Sequence, residues 1–132
     1  MPDLTPGYSQ RYLAVRETHM ITKEEMVELF ADMKQNAPWD SNKPLLWGYF
    51  FADPDKAKLE AVQAPLKAKG YQIVGVYDSK PDGDAPALWW LHIEKVEKHT
   101  VDTLHARNQQ FYQFAEEHGL ESYDGMDVGP AA

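Results

Sequence analysis

The chain has 132 residues, 43% of them hydrophobic, which suits one globular domain with a single core and leaves too little for two. Its 13 basic residues against 21 acidic ones give a net charge of −8, which opposes a phosphate backbone and favours a basic protein partner. No cysteine is present, so disulfides, thiolate zinc sites and cysteine nucleophiles are excluded.

Residues 1–21 read as a tail or short extended segment, with Pro2, Pro6 and Gly7 early in it. Asp3, Arg11, Arg16 and Glu17 interrupt any leader-like apolar run, and no later stretch approaches the roughly 18 apolar residues of a membrane span. A soluble, cytoplasmic protein is expected. Thr22-Lys23-Glu24-Glu25 is a capping box, with Ile21 placed to staple onto Met26. It opens a helix whose apolar residues Met26, Leu29, Phe30 and Met33 recur at helical spacing and which Pro38 must end.

Leu45 to Phe51 is apolar and rich in rings, which predicts a buried strand. Asp53 as cap and Pro54 as first helical residue predict a helix with Leu59, Val62 and Leu66 inward. Pro65 should kink its last turn and Gly70 should stop it. Tyr71 to Tyr77 is the second strand, and Lys80-Pro81-Asp82-Gly83-Asp84 a turn leading to the third, Ala87 to Lys95. Thr100 to His118 is a long helix with Val101, Leu104, Phe111, Ala115 and His118 on one stripe and Gly119 as its left-handed cap. Glu121 to Val128 is the last strand. The order is a leading helix followed by βαββαβ, an α+β ferredoxin-like sandwich whose four-stranded antiparallel sheet carries two helices on one face.

Catalytic chemistry finds little support. His92 and Glu94 share a strand face, but His19, His99, His105 and His118 lack ligand spacing, so no metal and no cofactor are expected. Asp53-Pro54-Asp55 and Asp82-Gly83-Asp84 serve caps and turns better than a calcium loop. No carboxylate pair stands out for acid–base work, and no nucleophile elbow or phosphate loop is present, so catalytic residues are none. The aromatics are the anomaly. Trp47, Tyr49 and Phe51 project from one face of the first strand, with Leu46 and Phe50 on the other; on the third strand Trp90 faces opposite to Trp89, Leu91 and Ile93. The face away from the two helices needs a cover: Met26, Phe30 and Met33 of the leading helix, or a homodimer or partner interface in which Trp47 and Trp90 would be contacts. An RNA-binding sheet is disfavoured by charge and by the missing basic aromatic signature. From Asn108 onward the chain holds Glu116, Glu117, Glu121, Asp124 and Asp127 without Lys or Arg, a surface suited to steering a basic partner.

A series of features then resembles the ribonuclease E inhibitor family, type B, the regulators of ribonuclease activity B. They are Ser41-Asn42-Lys43-Pro44, Asp53-Pro54-Asp55-Lys56-Ala57, Lys69-Gly70-Tyr71, Leu88-Trp89-Trp90-Leu91, and Ala115-Glu116-Glu117-His118-Gly119 leading into Tyr123-Asp124-Gly125. The resemblance implies a domain over residues 22–132 that binds a protein, in the best-known members ribonuclease E, and restrains RNA processing without chemistry of its own. It places Glu116, Glu117, Glu121, Tyr123, Asp124 and Gly125 near the contact, with no direct nucleic-acid or membrane partner. Met126 stands where the family motif continues with Trp, and Ala132 follows without the long acidic tail of some members, so another nuclease, or a toxin met by an immunity-type antagonist, is a further expectation. A small-molecule enzyme or binder of the dimeric ferredoxin-like type is the alternative from another class, and a deep pocket around His92 would favour it.

Overall fold

The computed structural model describes residues 12–15, 21–78 and 88–131. Its elements are β1 Tyr12–Val15, α1 Lys23–Asn36, β2 Leu45–Asp53, α2 Lys56–Ala61, α3 Gln63–Ala68, β3 Gln72–Asp78, β4 Trp89–Glu97, α4 Val101–Glu117 and β5 Ser122–Gly129. The strands form one antiparallel sheet in the order β1-β5-β2-β4-β3. Strands β2 to β5 and the helices between them make the expected ferredoxin-like unit, with α1 in front of it. The short strand β1 adds an edge beside β5, pairing Tyr12 with Val128 and Val15 with Gly125. The predicted Lys80–Asp84 turn, His19 and most of the N-terminal segment lie outside the described residues.

Local chemistry sets the helix ends. At α1 the Thr22 hydroxyl accepts from the Glu25 N–H while the Glu25 carboxylate accepts from the Thr22 N–H, the reciprocal box its sequence encodes. At the end of α4, Leu120 N–H donates to the Ala115 carbonyl and Gly119 N–H to that of Glu116, with Gly119 at φ +67°. This is the Schellman arrangement, which a Cβ at that residue would strain. The helix after β2 departs from expectation twice. Its cap is Asp55, whose carboxylate accepts from Ala57 N–H, and the helix breaks at Val62 into α2 and α3. Pro65 sits in the first turn of α3, where its missing N–H is tolerated, so it starts a new helix instead of bending the old one.

All four helices lie on one face of the sheet. Their apolar residues join Leu45, Trp47, Tyr49 and Phe51 of β2, Leu91 and Ile93 of β4, and Tyr123, Met126 and Val128 of β5 in one core. The leading helix is part of this layer: Met26 and Met33 are fully buried in it, and the Phe30 ring lies 6.0 Å from that of Trp47. It therefore does not cover the opposite face, because its apolar stripe is used against α4 and β2. On that opposite face Phe50, Ala52 and Trp90 form a second, small buried cluster.

A bulge in β5 explains why Tyr123 and Met126, three residues apart, both face the core. Phe50 pairs with Gly125 and Phe51 with Tyr123, so Asp124 is the extra residue, and Gly125 at φ +114° makes the bend. The Tyr123 hydroxyl, pushed well above its usual range by burial, donates to the Asn108 Oδ1 at 2.6 Å. Asn108 in turn donates to the Met26 sulfur at 3.5 Å, so the buried amide on α4 ties β5 to α1. No helix among the described residues is long and apolar enough to cross a membrane.

Candidate functional site

The residues expected at a partner contact separate into three groups. Glu116, Glu117 and Glu121 are exposed at the end of α4 and in the turn after it. Trp47, at 1% exposure, and Tyr123, at 3%, are interior, and Gly125 is buried in the bulge. Trp90, Glu121 and Asp124 are brought together in a cleft of about 290 Å³ whose other walls are Leu88 and Ser122.

The fold builds this cleft from the start of β4 and the start of β5. Trp90 projects from β4 on the face away from the helices, opposite Ala52 of β2, which itself pairs with Ser122. The bulge turns Asp124 out of the core, and the Ser122 hydroxyl donates to its carboxylate. Trp90, at 3% exposure, and Asp124, at 5%, are recessed in the floor of this cleft and Glu121 is exposed at its edge, an arrangement that suits the charged head of a lysine or arginine.

Asp53 sets the rim of the cleft. Its carboxylate is buried at the end of β2, accepting from Asp55 N–H at 2.7 Å through Oδ1 and from Glu121 N–H at 2.9 Å through Oδ2. It thus clasps the start of α2 to the turn that carries Glu121. In the sequence Asp53 reads as a cap, since Asp53 and the following Asp55 are locally indistinguishable as cap acceptors; only the long-range bond from Glu121 N–H tells them apart. An amide cannot accept at both positions. Asp53→Asn should therefore cost about 1–3 kcal/mol, the usual penalty for leaving a buried donor unmatched. Urea unfolding measures this, and a loss below about 0.5 kcal/mol would show the clasp to be dispensable.

On the helix side of the sheet a second polar cluster surrounds Glu97, the last residue of β4. Its Oε2 accepts from Tyr49 Oη at 2.9 Å and Arg107 Nη1 at 2.7 Å, with His99 Nε2 at 3.2 Å. The other nitrogen of His99 is 3.0 Å from Thr103 Oγ1. Burial alone would raise the Glu97 pKa, but the hydrogen bond from His99, the Arg107 charge and the bond from Tyr49 outweigh it and bring the value down to about 2. Such a carboxylate stays ionised and paired, which suits it to holding β2, β4 and α4 together and not to proton transfer. His92 is also buried, its ring stacked on Phe50 at 4.4 Å and its Nε2 3.8 Å from Glu94. It lines neither the cleft of Trp90 nor the groove beside Arg107. Among the described residues no three histidine or carboxylate side chains gather as metal ligands would.

Among curated proteins none matches the chain. A family model described as regulator of ribonuclease activity B matches residues 23–128, from the first residue of α1 to the penultimate residue of β5. The match spans the leading helix and all but the last residue of the βαββαβ unit, and the chain belongs to the regulator of ribonuclease activity B family.

Proposed function

We propose that the chain binds a ribonuclease, ribonuclease E being the first candidate, and restrains its processing of RNA without catalysing a reaction itself. The acid-lined cleft of Trp90, Glu121 and Asp124, flanked by Glu116 and Glu117, receives basic side chains of that nuclease. The observation that carries this reading is the convergence of two carboxylates on an indole wall at the rim of a chain whose net charge is −8. Electrostatic steering then sets how fast the complex forms, while the cleft sets how long it lasts. Tyr123 and Gly125 contribute by shaping the bulge that presents Asp124.

Reversing Glu116, Glu117 and Glu121 to Lys should slow association with purified ribonuclease E at least about tenfold at low ionic strength and flatten its salt dependence. The melting temperature should hardly change, because these side chains are exposed. Inhibition of RNA cleavage should weaken in step. Stopped-flow binding and a cleavage assay measure both; unchanged association at low salt would remove the acidic surface from the contact, and absence of any complex with the wild-type chain would remove ribonuclease E.

A further inference from the structure

A groove of about 440 Å³ opens on the helix side of the sheet, between α4, the turn from α3 to β3 and the later part of β4, with Lys69, Tyr71, Lys95, Arg107, Gln110 and Gln113 among its walls. Its size falls within the roughly 300–1,000 Å³ of small-ligand sites. Glu117 is the one carboxylate among the lining residues, and Glu97 stands behind Arg107. Three cations against two carboxylates leave this groove positive on a strongly acidic chain.

The cations are held in place. Lys95 Nζ lies 4.9 Å over the Tyr71 ring and donates to the Lys69 carbonyl at 3.3 Å. Arg107 stacks 5.5 Å over the same ring while one Nη engages Glu97. Lys69 Nζ lies 5.4 Å over Phe114. These ring faces are already occupied by cations, which leaves little for a nucleobase to stack on and favours a ligand recognised by charge and hydrogen bonds. Gln110 and Gln113 add amide donors, and the Tyr71 hydroxyl stays protonated because burial, opposed by Arg107, still takes its pKa to about 12.

From this arrangement we propose that the groove is a binding site for a small oxyanion ligand, a metabolite bearing phosphate or carboxylate groups. It lies apart from the acidic cleft: Lys95 and Trp90 are five residues apart on β4 and project from opposite faces. Glu117 borders both the groove and the acidic surface, so the two are told apart by residues that belong to one alone, Lys69 to the groove and Glu121 to the cleft.

The test is an NMR titration of the isotope-labelled full chain at low ionic strength, with pyrophosphate and with citrate in separate arms and a short single-stranded oligonucleotide in a third. Saturable shifts are expected at Lys69, Tyr71, Lys95, Gln110 and Gln113, and the arm that saturates first separates a phosphate ligand from a carboxylate one. Lys69→Glu, at an exposed position, should weaken binding about tenfold or more without moving the thermal melt, as loss of a charge-assisted contact does. Linear shifts spread over remote lysines such as Lys23 and Lys34, or an undiminished response in Lys69→Glu, would overturn the site. Binding of the oligonucleotide with neither small anion bound would overturn it in favour of a nucleic-acid groove.

Discussion

Trp47→Ala should destabilise the fold by about 3–5 kcal/mol, whereas Trp47→Phe should cost less than about 1.5 kcal/mol. The indole is fully buried between α1 and the sheet, 6.0 Å from the Phe30 ring and edge-on to His99 at 5.2 Å. Truncation to alanine removes the bulk that both rings pack on and leaves a cavity that helix and strand cannot close, since β2 is paired on both sides. Phenylalanine keeps most of the ring and removes an indole N–H that has no hydrogen-bond partner among the described residues, a saving that offsets part of the lost contact. The same pair separates packing from binding. If Trp47 acts only in the core, the folded fraction of either variant keeps wild-type affinity for a ribonuclease. Chemical unfolding and binding on the same samples decide it; a Trp47→Ala chain of near-normal stability but poor affinity would return the indole to the partner surface.

That outcome bears on how far function could be read from residues alone. Strand β2 was legible because it is buried on both faces and so reads as an unbroken apolar run, and α1 and α4 because their caps are written within a few residues. Alternation grouped Trp47 with Tyr49 and Phe51, and set Trp90 against Leu91 and Ile93, but only the structure shows that Trp47 faces the helices and Trp90 the other side. What alternation could not say is which face the leading helix covers, since Met26, Phe30 and Met33 would suit either. The edge strand β1 and the bulge at Asp124 were hidden for a related reason: each is decided by pairing with distant backbone, not by local preference. Of the candidate site, the charges of Glu116, Glu117 and Glu121 showed in composition, while the meeting of Glu121 with Trp90 needed the starts of β4 and β5 to be placed on either side of β2.

The division of charge around α4 follows from the same geometry. Its last turn exposes Glu116 and Glu117, and the chain then folds under Asp53 to deliver Glu121 to the cleft, while its middle turns deliver Arg107 and Gln110 to the basic groove. Lys58 holds the end of the helix by donating to the Gly119 carbonyl at 3.2 Å. One helix thus carries both surfaces, with Glu117 of its last turn bordering the two.

Arg107→Met should cost about 3 kcal/mol at neutral pH, and that loss should shrink as the solution is made acidic. Methionine keeps much of the apolar stem over Tyr71 and Phe111 but removes the charge 2.7 Å from Glu97 Oε2. The carboxylate, with only 12% of its side chain exposed, keeps Tyr49 and His99 but loses its strongest cation. In the wild type the folded pKa is depressed to about 2 from the usual 4.5. The pair therefore contributes its full stability above pH 4.5 and loses it as pH falls from there toward 2. In the variant burial is less opposed, so Glu97 takes up its proton at higher pH and the ionised state no longer penalises folding once that has happened. The stability curves of the two proteins should converge between about pH 5 and pH 2. Urea unfolding at several pH values follows the gap directly. A gap that stays constant over that range would mean that Arg107 stabilises the fold by packing on the two rings, and that the ion pair with Glu97 adds nothing to it.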